Sequence, residues 1–280
     1  MLLADPQLES RSPGAEFARA YARQGDGATL RLAASLTTLF PPAQRRPRYI
    51  VRDLLKVAHV DDDRVTYARE VATFEGSPDD VGGAHEAPEA GFRAFAVEAE
   101  VHPIAARAPI PAEILDDPAA LAAFVDYRLI VRLCTAENDA LLNGTGDGAV
   151  RGLLRTEGLR DQEPRGTVAE TLLAAAATCE WYGGSADGVV MNPADWWPLV
   201  GQGGFLASLA EAGVRFNRTR MVPPGFALVG DFHAAATVLD RRDATIRLTR
   251  DVNGLALEGE IREGLAVHLP GHFVRVRLPR

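Results

Sequence analysis

Two histidines, His268 and His272, have the i, i+4 spacing that places two imidazoles on one helix face, where they could bind a metal ion. A proline and a glycine stand between them, and a proline inside a helix clashes with the preceding turn. His59 precedes three aspartates at positions 61–63, whose carboxylates could hold a divalent cation. Adjacent side chains of an extended strand point to opposite faces, so a solvated turn is the better interpretation. Neither pattern predicts a metal site.

The glycines at positions 144, 146 and 148 could be taken for a loop that cradles phosphate. Phosphate-binding glycine loops follow a strand and open a helix, whereas this one follows a predicted helix, and no Gly-Lys-Ser/Thr sequence accompanies it. Cys134 and Cys179 form no Cys-x-x-Cys pair, and the sequence contains no Gly-x-Ser-x-Gly elbow. We therefore predict no catalytic residue, no cofactor-binding residue and no metal ligand, and we expect a protein that is not an enzyme.

The 280 residues carry a net charge of −8, and 47% of them are hydrophobic, as in a globular protein with a sizeable core. Residues 1–48 contain seven arginines and four acidic residues, so this part is +3 and the remainder −11. A basic arm on an acidic body indicates contact with a neighbouring chain or an anionic interior, and a solvated helix face is an equally weighted alternative. The acidic body argues against a protein that grips DNA, because phosphate contacts supply most non-specific affinity.

No apolar run approaches the roughly 18 residues that a membrane span needs. The start of the chain, MLLADPQLESRS, lacks the positive segment of a secretion signal. We therefore expect a protein that remains in the cytoplasm of the cell that makes it and has no membrane partner. Both cysteines lie in apolar helical stretches, which is typical of buried free thiols.

Local signals predict most elements of the middle and end of the chain. A long helix begins after Asp117, carries an apolar stripe and ends at Leu142, before an Asn-Gly cap. A second helix, at 167–182, opens with a capping box of Thr167 and Glu170. Short helices are predicted from Pro193 and at 205–213, and strands at 188–191, 226–230, 244–250, 254–262 and 264–277.

Residues 64–74 and 92–101 indicate two strands joined by the long polar turn 75–91, which is rich in glycine and proline. A hairpin with so little apolar content is not stable alone, so it must lie on something, and a neighbouring subunit is the natural candidate. Residues 14–37 predict one or two short helices broken at 25–27, and the prolines that follow force an extended segment. We interpret this part as an arm and not as a core element.

Five pieces of the sequence stand in the order found in one known family. They are the long hairpin, the strand APIPAEILDD with the helix that ends LLNGTGDG, the helix TVAETLLAAA with GVVMNPADWWPL, the stretch GVRFNRTRMVPPGFALVGDF, and the final IREGLAVHLPGHFVRVRL. Over residues 49–279 the sequence resembles the major capsid proteins of tailed phages. The resemblance implies an α+β fold of the phage Hong Kong ninety-seven type, which encapsulin shell proteins share.

The resemblance implies four parts, named as in that family. They are an N-terminal arm (1–48), an extended E-loop hairpin (62–98), a peripheral domain with a long spine helix (49–61, 99–150 and 251–280) and an axial domain (151–250). The span between Trp197 and Gly213 is short for the family, which indicates a trimmed axial domain. Only 48 residues precede the body, too few for the fused scaffold of some members, so a separate scaffold protein or none is implied.

The implied function is self-assembly into a closed icosahedral shell, as the major capsid protein of a tailed phage or prophage, located in the virion capsid. The alternative is an encapsulin-like nanocompartment in the bacterial cytoplasm. The partners would be copies of the same chain, in pentamers with hexamers as an option, together with packaged DNA or, in the alternative, protein cargo. A third class, a small-molecule enzyme, needs a pocket with convergent polar groups and shifted carboxylates, and the sequence identifies none.

We expect subunit contacts in the hairpin and in the axial loops. The hairpin tip would face arginines of the adjacent subunit through its acidic residues, which are Asp79, Asp80, Glu86 and Glu89. Close approach at five-fold or six-fold axes would occur at glycines, which are Gly183, Gly184 and Gly203. Some family members weld their shells through an isopeptide bond from an E-loop lysine. The single lysine here, Lys56, precedes the hairpin, so a shell without cross-links is predicted.

Overall fold

The computed structural model describes residues 12–37, 50–72, 92–201, 203–252 and 254–279. The helices in these ranges are α1 (Pro13–Gln24), α2 (Pro118–Phe124), α3 (Ile130–Asn143), α4 (Val168–Trp181), α5 (Pro193–Val200), α6 (Phe205–Glu211) and α7 (Phe232–Ala235). The strands are β1 (Thr29–Leu32), β2 (Lys56–His59), β3 (Arg64–Ala72), β4 (Phe92–Glu100), β5 (His102–Pro109), β6 (Arg160–Gln162), β7 (Gly188–Met191), β8 (Arg215–Arg218), β9 (Phe226–Gly230), β10 (Ala236–Asp240), β11 (Ala244–Asp251), β12 (Gly254–Val267) and β13 (Phe273–Arg277). None of the helices in the described ranges has both the length and the apolar character needed to cross a membrane.

Six strands form one mixed sheet around β12. β10 and β11 pair in succession along β12, and β5 also pairs with it, all in the antiparallel sense. β1 pairs with β11 at one end of the sheet, and β2 lies parallel to β10 at the other. The sequence predicted a break near residue 263, but β12 continues to Val267 because β10 extends the ladder over residues 263–267.

A long helix packs against this sheet and confirms the predicted spine. α2 and α3 are joined by a π-helical turn, Val125–Leu129, so the helix is continuous. Asp117 caps its start by accepting two backbone N–H groups, and Gly144 caps its end. Leu129 lies over Gly259 of β12, where an added Cβ would be 3.3 Å from the leucine side chain. The helix and the sheet thus share the main apolar core.

Residues 12–37 belong to this core and do not form the arm that the sequence indicated. Phe17 of α1 is fully buried, and β1 is an edge strand of the six-stranded sheet. At Gly14 an added Cβ would lie 2.0 Å from the carbonyl oxygen of Ala122, so α1 and α2 are in close contact. The composition of this segment did not predict that it packs in the core, because only one face of α1 is buried. The remainder of the predicted arm lies outside the described residues.

A second sheet has five strands in the order β6-β13-β9-β7-β8. Successive side chains of a strand point to opposite faces. One face of this sheet, which includes Val190 and Leu228, contributes to the main core. The other face, which includes Val229 and Val274, is covered by α4, α5 and α6, and these elements form a second apolar cluster.

The two sheets divide the chain differently from the predicted peripheral and axial domains. β10 and nearly all of β11 fall within 151–250, assigned to the axial domain, but they belong to the six-stranded sheet. β13 falls within 251–280, assigned to the peripheral domain, but it pairs with β6 and β9 in the five-stranded sheet. The sheet to which a strand belongs depends on its pairing with strands distant in sequence. The local pattern of a short apolar strand does not specify that partner.

β3 and β4 form a separate two-stranded antiparallel ribbon, in register from Arg64 with Glu100 to Ala72 with Phe92. This ribbon confirms the base of the predicted hairpin, whose tip lies outside the described residues. One backbone hydrogen bond ties it to the segment after β12, and another continues its own ladder past Arg64 and Glu100. Glu70 donates to the carbonyl of His268 at 2.7 Å, and Val101, after β4, donates to the carbonyl of Asp63 at 2.8 Å.

Candidate functional site

His268 and His272, whose i, i+4 spacing could suit a metal ion, make other contacts in the structure. Residues 270–272 form a 3-10 turn and not an α-helix. His268 has Nε2 3.0 Å from Thr237 Oγ1 and Nδ1 3.1 Å from the carbonyl of Ala68 in the hairpin. His272 is buried, with Nδ1 3.8 Å from Asp231. Among the described residues, no group of three or more His, Cys, Asp or Glu side chains is placed to hold a metal ion.

The most unusual chemical group is a buried ionic cluster. Arg52, in the 3-10 turn Val51–Leu54, contacts three carboxylates from three elements, namely Glu137 of α3, Asp240 of β10 and Glu263 of β12. Its Nη2 is 2.6 Å from Asp240 Oδ2, and its Nη1 contacts both glutamates, 3.4 Å from Glu137 Oε1. All four side chains are buried. The cluster therefore joins the spine helix to the six-stranded sheet.

The electrostatics of this cluster favour a bound proton. Burial, and then the negative charge of Glu137, raises the pKa of Glu263 well above its ordinary value. Burial also raises the pKa of Glu137, against the opposing charge of Arg52. Oε2 of each glutamate is buried without a bond to an N–H or hydroxyl group, and the two carboxyls contact each other. Their raised pKa values and this contact favour one proton shared by the pair.

No pattern in the sequence indicates this cluster. Its members are separated from Arg52 by 85 to 211 positions, and a lone acidic residue in an apolar helix or strand is usually exposed. A cavity of about 530 Å³ adjoins Arg52 and Asp240 and is lined also by His59 and Arg242. At the wall of this cavity Arg52 and Asp240 bond each other directly. The arrangement acts as a cross-link within the core.

The hairpin carries an apolar face that extends beyond the body. Val65 and Tyr67 of β3 pack with Leu239 of the body in a small cluster. Farther along the same face, Phe95 is 51% exposed and Val71 is 37% exposed. Alternation along the ribbon and its register place all four side chains on one side. The body therefore covers the start of this face and also holds Arg69 through the carbonyl of Glu157, whereas Phe95 and Val71 remain largely exposed among the described residues.

Three of the residues predicted to contact a neighbouring subunit are described. Gly183 follows α4 with φ +85°, a left-handed conformation that favours glycine. Gly203 is exposed between α5 and α6, with φ +55°. Gly184 packs within the chain, since an added Cβ would lie 2.9 Å from Cys179 Sγ and 3.0 Å from the ring of His272. The other predicted contacts lie outside the described residues; they are Asp79, Asp80, Glu86 and Glu89.

Comparison with known proteins relates this geometry to a family. Residues 43–199 match the phage capsid family. The major capsid protein of Enterobacteria phage HK97 is 27% identical over 249 residues, which cover 81% of this chain and 64% of that relative. A structure from Mycobacterium phage Adephagia has a TM-score of 0.59 and 13% identity over 82% of this chain and 90% of that one. The virus-like particle from Pyrococcus furiosus has a TM-score of 0.56 and 14% identity, over 81% and 91%.

The family match spans more than half of the chain and includes the hairpin, the spine helix and α4. The solved structures extend the likeness, as a shared fold, over about four fifths of it. The α+β fold is of the Hong Kong ninety-seven type, and the chain belongs to the phage capsid family.

Proposed function

We propose that this protein is the major capsid protein of a tailed phage or prophage and that it associates with copies of itself into a closed icosahedral shell. Membership of the phage capsid family carries the proposal. The relative from Enterobacteria phage HK97 is a major capsid protein by name. The partners are further copies of the chain, in pentamers and optionally hexamers, with packaged DNA inside and a separate scaffold protein or none.

The hairpin supports self-association because two of its apolar side chains, Phe95 and Val71, are largely exposed on one face. A β-ribbon of two strands is marginal in water and gains stability by packing. The register of the ribbon places both of these side chains on the same side. An adjacent subunit would cover them, and the acidic tip, with Asp79 and Asp80, would face arginines of that subunit. Gly183 and Gly203 would lie near the axes, where their exposed backbone permits close approach.

The alternative is an encapsulin-like shell that encloses protein cargo. One observation supports this alternative: the fold is similar to that of the virus-like particle from Pyrococcus furiosus, with a TM-score of 0.56. The two functions predict the same subunit contacts and differ in what the shell contains. Nucleic acid in purified particles would favour the capsid, and a co-purifying enzyme would favour the nanocompartment.

Negative-stain electron microscopy of the protein expressed alone tests the proposal. Uniform closed particles would support a shell protein that needs no scaffold and would favour the nanocompartment. Irregular sheets or tubes would favour a capsid protein that lacks its scaffold. A protein that remains monomeric at every concentration, both alone and with a candidate scaffold protein, would overturn the proposal.

Deletion of residues 76–90 tests the role of the hairpin within that function. We expect a folded, soluble subunit that forms no shells, because the deletion removes the tip and leaves the ribbon and the body intact. The measurement is particle yield by sedimentation, with circular dichroism as the check on folding. Intact shells from the deletion variant would remove the hairpin tip from the mechanism.

We also expect a shell without covalent cross-links. The hairpin contains no lysine, and Lys56 lies on β2, paired in the six-stranded sheet. Boiled particles should therefore run as single subunits in denaturing gels. A ladder of subunit multiples that resists detergent and reductant would contradict this prediction.

A further inference from the structure

The outer side of α4 is an apolar surface that the described residues leave uncovered. Its inner side packs Leu172 and Ala175 on the five-stranded sheet. The outer side presents residues at i, i+3, i+7 and i+10, all exposed, which are Glu170, Leu173, Ala177 and Glu180. Leu173 is 49% exposed. A helix that is apolar on both sides is normally buried on both sides, so this stripe, apolar in the middle and acidic at its ends, indicates a further partner.

A second apolar surface lies on α5 and is bordered by arginines. Trp197 and Val200 are 60% and 46% exposed. The guanidinium of Arg218, at the end of β8, lies 3.9 Å from the ring centre of Trp196 and 5.3 Å from that of Trp197. Arg220 follows two residues later and lines the same cavity as Arg218. An exposed tryptophan beside cations is typical of the anchor of a protein interface.

The two surfaces lie at opposite edges of one helical layer. α4 packs against β6, β13 and β9, which form one side of the five-stranded sheet. α5 lies beside β8, the strand at the other edge, as the stacking of Arg218 shows. Both helices cover the same face of the sheet. Different surfaces at opposite edges permit a head-to-tail contact, and repetition of such a contact closes a ring when the rotation between copies allows it.

We propose that the α4 stripe of one copy packs against the α5 surface of the next copy, so that these helices form the repeated contact around each ring. This rests on the proposed function and specifies its interface. Trp197 would cover Leu173, with room provided by the small side chain of Ala177. Glu180 at the end of the stripe would pair with Arg220. The charge signs agree with this occupant, since acidic residues border one surface and arginines border the other.

A charge exchange tests the pairing. Glu180→Arg and Arg220→Glu should each raise the protein concentration needed for assembly by about tenfold or more, because like charges then meet at every contact in the ring. The double variant restores opposite charges and should assemble within about threefold of the unchanged protein. Particle formation is followed by sedimentation and electron microscopy. Single variants that assemble normally, or a double variant that is no better than the single ones, would overturn the pairing.

A second pair of variants tests the apolar part. Leu173→Asp should abolish or strongly reduce assembly, whereas Val252→Asp, at a fully exposed position after β11, should not. Circular dichroism and thermal unfolding check that both subunits remain folded. Equal assembly by the two variants, with the unchanged protein forming particles, would overturn this contact and leave the proposed function standing. An unchanged protein that never associates, either alone or with a candidate scaffold protein, would overturn both.

Discussion

At the residue scale, the cluster around Arg52 presents a problem of charge balance. One guanidinium contacts three buried carboxyls. Removing an ion from water costs several kcal/mol, and a single arginine does not offset three carboxylates. The raised pKa values of Glu137 and Glu263 favour one proton shared by the pair, which would remove one negative charge. The residue types were visible in the sequence, but their proximity follows only from the packing of α3 against β10 and β12.

We expect Arg52→Met to destabilise the subunit by about 3–5 kcal/mol, because it leaves carboxylates buried without their cation. The measurement is the free energy of unfolding in denaturant, made on dissociated subunits. Arg247→Met is the matched control, since its ion pair with Glu258 lies at the surface and should contribute at most about 1 kcal/mol. Equal losses from the two variants would mean that the cluster does not hold the core together.

The shared proton also gives stability a defined pH dependence. The folded state holds the proton with a raised pKa, whereas the unfolded chain releases it near the ordinary glutamate value of about 4.3. Between these two pKa values the folded state binds more protons, so the free energy of unfolding falls as pH rises through that window. The slope for one proton is at most about 1.4 kcal/mol per pH unit.

Glu263→Gln should flatten this dependence, because the amide donates a hydrogen bond to Glu137 at every pH. The free energy of unfolding would be measured from pH 5 to pH 9 for the unchanged protein, for Glu263→Gln and for the surface control Glu211→Gln. The control should keep the slope of the unchanged protein. A slope that persists in Glu263→Gln would show that the proton is held elsewhere.

At the scale of elements, local rules predicted what depends on local contacts. The capping box of α4 is present, with Thr167 Oγ1 accepting from Glu170 N at 3.2 Å and Glu170 Oε2 accepting from Thr167 N at 2.7 Å. The role of residues 12–37 was missed because it depends on distant contacts. Gly14 meets Ala122, more than 100 positions away, and β1 pairs with β11. Neither contact can be predicted from the residues within one helix length of either partner.

Asn192 shows how one residue can serve a local and a distant contact. Its Oδ1 caps α5 by accepting from Ala194 N at 2.9 Å, and its Nδ2 donates to the buried carbonyl of Val222 at 2.7 Å. Asn192→Ala should cost about 1 kcal/mol for the cap and about 1–3 kcal/mol for the unpaired carbonyl. Thr167→Ala, which removes the cap of α4 alone, should cost only about 1 kcal/mol. If Asn192→Ala and Thr167→Ala lowered the free energy of unfolding equally, the hydrogen bond from Asn192 to Val222 would not contribute to stability.

At the scale of the whole molecule, the order of motifs was enough to predict the fold type, because each motif marks one part of a known architecture. It was not enough to assign β10, β11 and β13 to their sheets, since strand pairing is settled by long-range packing. The sequence also did not show on which face of the hairpin Phe95 lies. The register of β3 and β4 shows that Phe95 lies on the same side as Val65 and Tyr67.

Phe95 therefore offers a test of assembly that leaves the subunit intact. Phe95→Ser should lower particle yield strongly, because it removes a large apolar side chain that the described residues leave half exposed and that a neighbouring copy would bury. Ala96→Ser, on the opposite face of the same ribbon, should have no effect on yield. Both variants should keep the unfolding temperature of the unchanged subunit, since neither side chain is buried in it. If the two variants assembled equally well, the hairpin would not contact its neighbour through this face, and the ribbon would have to pack through its polar side or its tip.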